Sequence, residues 1–140
     1  MITITPKDAL RAKILPPGWQ ICLVENHYSK PAQSDGSTVH YYEMTVMSGQ
    51  YQGVPLSELT LSEKAIGMGK NFFVSCGMPV ELWDKAEKGE SVNFDEKSPV
   101  GHYVKVMVKP EAFGNRMLNK AVDFLPLTEA ELSAFAAGVR

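Results

Sequence analysis

The sequence predicts a mainly β protein with helices: five strands rolled into a small Greek-key barrel, one helix between the third and fourth strands, and a helix near the C-terminal end. Three observations lead there. Apolar and β-branched residues alternate with period two in several short stretches, the first long run with helical spacing comes only after the third of them, and glycine and proline punctuate the joints. At 140 residues the chain has the size of one domain with one core, expected to span 1–140 with the barrel at roughly 15–127.

The opening "MITITPKDALRAK" reads as a short strand and then a polar segment, and "LPPG" at Leu15–Gly18 fixes a turn through its two prolines. "WQICLVE" from Trp19 combines β-branched, aromatic and apolar residues and predicts a first strand buried in part on both faces. The polar, turn-forming "NHYSKPAQSDGST" predicts a loop long enough to reach a ligand. In "VHYYEMTVM", Tyr42, Met44 and Val46 alternate with Tyr41, Glu43, Thr45 and Met47, a second strand with one wetter face. "SGQYQG" at 48–53 then turns the chain, its glycines permitting positive φ, into a third strand "VPLSELTLS" whose Pro55 points to an edge or a late start.

Ser62 caps an expected helix in which Ala65, Ile66, Phe72, Phe73 and Cys76 recur at near-heptad spacing and Gly77 with Met78-Pro79 supplies the stop. Gly67 and Gly69 weaken its middle by about 1 kcal/mol each relative to alanine, so tertiary packing must hold it. A shorter amphipathic helix, "PVELWDKAEKG", begins with proline and ends at Gly89. "HYVKVMVK" is the clearest strand, with Val104, Val106 and Val108 on one face and Tyr103, Lys105, Met107 and Lys109 on the other. "PEAFGNR" reads as a turn, "MLNKAVDFLPL" as the fifth strand ended by Pro126, and Thr128 as the cap of a C-terminal helix reaching 138. Five strands with a helix between the third and fourth is the order of an OB-fold, whose loops and second and third strands bind single strands or sugars.

Composition narrows the function classes. With 44% hydrophobic and 21% charged residues the chain is composed like a soluble globular protein, and no apolar run approaches the ~18 residues of a membrane span. The N-terminal stretch lacks the pattern of a secretion signal, so a cytoplasmic location is expected, with no membrane partner. Cys22 and Cys76, the two cysteines, read as reduced buried thiols, and His27, His40 and His102 have no metal-ligand spacing. No cofactor and no metal is expected. The formal net charge of −2 argues against binding nucleic acid through bulk positive charge, but its distribution is uneven. Glu81–Glu96 carries six acids against two lysines, whereas Gly101–Lys120 carries four bases against one acid.

Enzymatic motifs are missing. "GMGKN" at 67–71 resembles a phosphate loop only in part, with Lys64 where the first glycine belongs and Asn71 where serine or threonine would follow the lysine. There is no G-x-S-x-G elbow and no H-E-x-x-H pair, and Asp95-Glu96 lies in a polar linker, so no catalytic residue is expected and the protein is read as a non-enzyme. A single-strand site needs aromatic faces interleaved with bases that follow the phosphates. Tyr103, Lys105 and Lys109 on the fourth strand have that alternation, joined by Phe113 and Arg116 in the following turn, Lys120 in the fifth strand, Tyr28 and Lys30 in the first loop, and Tyr42 in the second strand. The plainer alternative is that Tyr and Lys suit the solvated face of any strand. Tyr51 is open to two readings, filling of the hairpin or an edge contact on which a base stacks. Trp19 reads as core, end plug or stacking residue, and Trp83 as a packing anchor.

Taken together, "LPPGWQICLVE", "YYEMTVMSGQYQGVPL", "FFVSCGMP" and "FDEKSPVGHYVKVMVK" resemble bacteriophage-encoded OB-fold proteins of the single-stranded-DNA-binding type, over roughly Leu15 to Leu127 and in order and spacing. The resemblance implies a non-catalytic protein that coats single-stranded DNA in phage replication or recombination, self-assembles into a dimer or larger, and meets replication or recombination proteins. The ending "TEAELSAFAAGVR" departs from the flexible acidic tail of many such binders and puts tail-mediated recruitment in doubt. A protein-interaction module, an adaptor or inhibitor built on the same scaffold, is the competing expectation, favoured by the acidic stretch.

Overall fold

The computed structural model describes residues 1–136, with side chains through Phe135. Its sheet is built from β1 (Gly18–Pro31), β2 (Thr38–Val46), β3 (Leu59–Ser62), β4 (Tyr103–Phe113) and β5 (Arg116–Leu125). The strands lie in the order β3-β2-β1-β4-β5, every neighbouring pair antiparallel. The five-stranded, mainly β class is as expected, but the sheet is open. β3 and β5 are its two edges, and just before β3 Ser57 ties the two sides together, its N–H and Oγ both reaching the Asn119 carbonyl, at 2.9 and 3.0 Å.

β1 is the organising strand. Gly18–Leu23 pairs with β4, and Cys22–Pro31 pairs with β2, with Glu25 as an extra residue between paired Val24 and Asn26. Half of the loop expected after Glu25 is therefore strand, and the true loop is residues 32–37. The polar composition of 26–31 misleads because one face of this ladder is open to water and the other carries a histidine, His27, where an apolar residue would be diagnostic.

The β2–β3 connection also differs from a tight hairpin. Gly49 and Gly53 adopt φ of 77° and 93°, as the turn demands, around a short 3-10 segment Gly49–Tyr51. The returning chain first bonds β2 through Val54 and Leu56 around an isolated bridge at Pro55, whose missing N–H faces away from β2, and the regular ladder starts only at Leu59. The expected turn after Lys109 is instead more strand: β4 and β5 stay paired out to Phe113↔Arg116, leaving Gly114 and Asn115 as the turn. Pro110 is tolerated because it lies beyond Gly18↔Val108, the last β1–β4 pair, where β4 has an open side.

Helices close one end. Ser62 Oγ accepts from the Lys64 N–H, but the two glycines keep Glu63–Gly69 in a 3-10 path, and only Lys70–Ser75 (α2) is α-helical, with Gly77 at φ 100° after its end. α3 follows at Val80–Glu87. An N-terminal helix, α1 (Pro6–Arg11), stands within the opening that was expected to hold a short strand and then a polar segment. The Thr5 hydroxyl accepts from the Asp8 N–H while the Asp8 carboxylate accepts from the Thr5 N–H, a reciprocal cap, and Pro6 occupies the first turn. Thr128 and Glu131 make the same exchange at the start of α4 (Glu129–Ala136), while positions 137 and 138 of the expected helix lie outside the described residues.

The core is the inward face of the sheet. Cys22, Val24, Met44 and Val46 meet Val104, Val106 and Val108, all 0–1% exposed, and Phe72 and Phe73 of α2 cap them. Both cysteines are free and buried, and burial pushes each thiol pKa up to about 12. No helix among the described residues is long and apolar enough to cross a membrane.

Candidate nucleic-acid interface

The open seam of the sheet is a groove. It encloses about 960 Å³ between the β3 side, with Glu58 and Thr60, and the β4–β5 hairpin, with Phe113, Arg116 and Lys120, and Arg11 of α1 adds a further base. Three residues selected from sequence thus converge. Phe113 is 65% exposed and sits opposite Arg116 in the register; Lys120 sits opposite Lys109, which is also exposed. Lys120 is paired with Glu111 at 2.9 Å, but among the described residues neither Arg11 nor Arg116 has an ion-pair partner. Among the described residues that line it, Arg11, Arg116 and Lys120 stand against Glu58 and Glu111, so the groove is basic on balance.

Arg11 was missed from sequence, although "TPKD" at 5–8 is a legible capping box with proline in the first turn, which would have placed a helix there. Its chain is positioned by Asn119, one of two buried polar residues among the described residues. The Asn119 side chain accepts from the Leu15 N–H at 2.9 Å and donates to the Lys13 carbonyl at 2.8 Å, pinning the segment after α1 against β5.

Beside the groove, the outward face of β1 and β2 carries two stacked rings. Tyr28 and Tyr41 are register partners with centroids 4.8 Å apart and planes 11° from parallel, and Lys30 Nζ lies 5.3 Å from the Tyr28 centroid. The Tyr28 hydroxyl donates to Glu58, and that bond pushes the phenol pKa up to about 12. Opposite Tyr41 on β3 stands the small, exposed Thr60, which lines the groove. Platform and groove are therefore contiguous.

The remaining selected residues lie elsewhere. Tyr42 is a correction: it is 0% exposed, packed on Phe72 and Phe73, and its hydroxyl donates to the Glu96 carbonyl at 2.6 Å, so it offers no face to a base. Tyr103 and Lys105 lie beneath α4. The Tyr103 ring stacks on Phe135 at 4.5 Å, and Lys105 Nζ reaches Glu131 at 3.3 Å, so that face is covered by the chain itself. Tyr51 is half-buried against the core, with Lys13 Nζ 5.6 Å from its centroid. Trp19 is 42% exposed on the outward face opposite Met107, and Trp83 packs on the core and donates to Met78 Sδ at 3.1 Å.

A histidine pair lies on the inward side of β1 and β2. His27 Nε2 and His40 Nδ1 are 2.8 Å apart, and His40 Nε2 faces Glu63 Oε2 at 3.6 Å. The carboxylate favours a proton on His40 Nε2, so His40 Nδ1 accepts, His27 Nε2–H donates, and His27 Nδ1 is left as a buried acceptor with no partner. Burial, and then the positive charge His40 would carry, lower the His27 pKa; Lys97 adds to this, against Glu96 and Asp95. The unfolded chain therefore takes up a proton that the folded chain refuses, and stability falls as pH drops below about 6.5. Urea midpoints at pH 7.5 and 5.5 are expected to separate for the native protein and to separate less for His27→Gln.

Comparison with models of protein families finds no match for the chain, and comparison with curated proteins finds no match either.

Proposed function

We propose that the protein binds single-stranded DNA, without catalysis and with little regard to sequence, along the groove between β3 and the β4–β5 hairpin. The observation that carries this is the contiguity of the stacked Tyr28–Tyr41 platform with a basic groove holding Arg11, Phe113, Arg116 and Lys120. Aromatic faces and bases placed within one path are what a sequence-tolerant strand site requires. The strand order supports this reading: β3-β2-β1-β4-β5 with helices between β3 and β4 is compatible with an OB-like barrel left open between β3 and β5, and an OB ligand face would run over the second and third strands toward the fourth-to-fifth hairpin. A role in phage replication or recombination rests on the resemblance in sequence order alone.

Titration of a fluorescent oligothymidine at low and high salt tests the proposal. Affinity is expected to fall linearly on logarithmic axes, with a slope of about −0.7 for each phosphate neutralised. Absence of binding at low salt sinks it.

A further inference from the structure

On the other side of β2 from Tyr41, a cleft of about 740 Å³ opens between the inward face of the sheet and α3 with its following linker. This is within the usual size of a ligand site. Three features of its lining ask for three different groups. The deep wall is apolar and aromatic, from Phe73, Met78, Trp83 and Phe94, and suits an apolar body. Its charged groups are Glu63, Glu90 and Glu96, with no lysine or arginine among the lining residues, and these suit a cation. His40, only 8% exposed, has Nδ1 occupied by His27, while Nε2–H faces the Glu63 carboxylate at 3.6 Å, beyond hydrogen-bond length, and suits a neutral acceptor such as a carbonyl.

A free amine supplies one of these groups and a nucleic acid brings phosphates that the carboxylates repel. A peptide with a basic side chain between apolar neighbours supplies all three. Past the cleft, α3 carries Glu81, Asp84 and Glu87 against Lys85, so acids outnumber bases beyond the cleft as well and match a partner larger than a single cation. We infer that this cleft receives a basic, apolar-flanked peptide segment of a protein partner. It lies on the opposite face of β2 from the proposed DNA path and does not depend on it, so both can be occupied together.

The test follows Trp83 fluorescence in a Trp19→Phe background. The probes are a doubly capped leucine–arginine–leucine–arginine–leucine peptide, the same peptide with glutamate in place of arginine, and arginine amide. Saturable change is expected with the basic peptide and none with the acidic one, with arginine amide at least tenfold weaker. The E63Q/E90Q/E96Q variant alters only exposed carboxylates; it is expected to keep its near-UV circular dichroism and its oligothymidine binding while losing at least tenfold in affinity for the basic peptide. No saturable response, an equal response to the acidic peptide, arginine amide binding as tightly as the peptide, or undiminished affinity in the triple variant each overturns the inference.

Discussion

Tyr42→Ala is expected to destabilise the fold by about 3–5 kcal/mol, while Tyr41→Ala, one residue away, changes stability by about 1 kcal/mol or less and weakens oligothymidine binding by about 5- to 150-fold. The two side chains leave β2 on opposite faces. Tyr42 fills the centre of the core among His27, Phe72 and Phe73, and its hydroxyl anchors the linker at Glu96, so truncation opens a cavity and orphans a carbonyl. Tyr41 stacks on Tyr28 beside the groove, next to the groove-lining Thr60, where its loss removes one stacking face. Urea denaturation reads the first effect and fluorescence anisotropy the second. Native affinity in Tyr41→Ala would remove the platform from the binding path.

Replacing Arg11, Arg116 and Lys120 together by glutamine is expected to flatten the salt dependence of oligothymidine binding by about 2 on the logarithmic slope, each lost phosphate contact contributing about 0.7. Affinity at low salt should fall on the order of 10²-fold, with stability within about 1 kcal/mol of native because all three side chains are exposed. Lys105→Gln is the control. Its ammonium is engaged by Glu131 beneath α4, so the slope is expected to stay as it is in the native protein. An unchanged slope in the triple variant would place the strand elsewhere on the molecule.

How much of this the sequence carried can be argued residue by residue. The Val104-Val106-Val108 alternation, the Ser62 cap, the glycine stop at Gly77 and the positive φ of the 48–53 turn are local patterns with local causes, and each is present as expected. The same alternation grouped Tyr42 with Met44 and Val46 and so already assigned it to the apolar face, which its selection as a contact residue overlooked. The covering of Tyr103 and Lys105 was not legible, because a strand's pattern cannot say which of its faces a distant helix will take. Nor was the extent of β1: a bulge at Glu25 shifts the register, and beyond it polar residues are held in the ladder by the partner strand's backbone rather than by any apolar preference of their own. The groove itself arises between β3 and β5, strands separated by more than fifty residues, and no window of sequence contains both its walls.

Where a closed barrel would fasten its walls through a ladder of bonds acting in parallel, this seam hangs on one carbonyl of Asn119, shared by two donors from Ser57. In mechanical terms it is a hinge pin rather than a zip. The same residue's amide secures the chain just beyond Arg11, so the spacing of the two walls and the position of one groove cation have a common fulcrum. Any ligand that spread or tightened the groove would therefore load the N-terminal helix as well, with α1 and the β4–β5 hairpin as levers on a single residue.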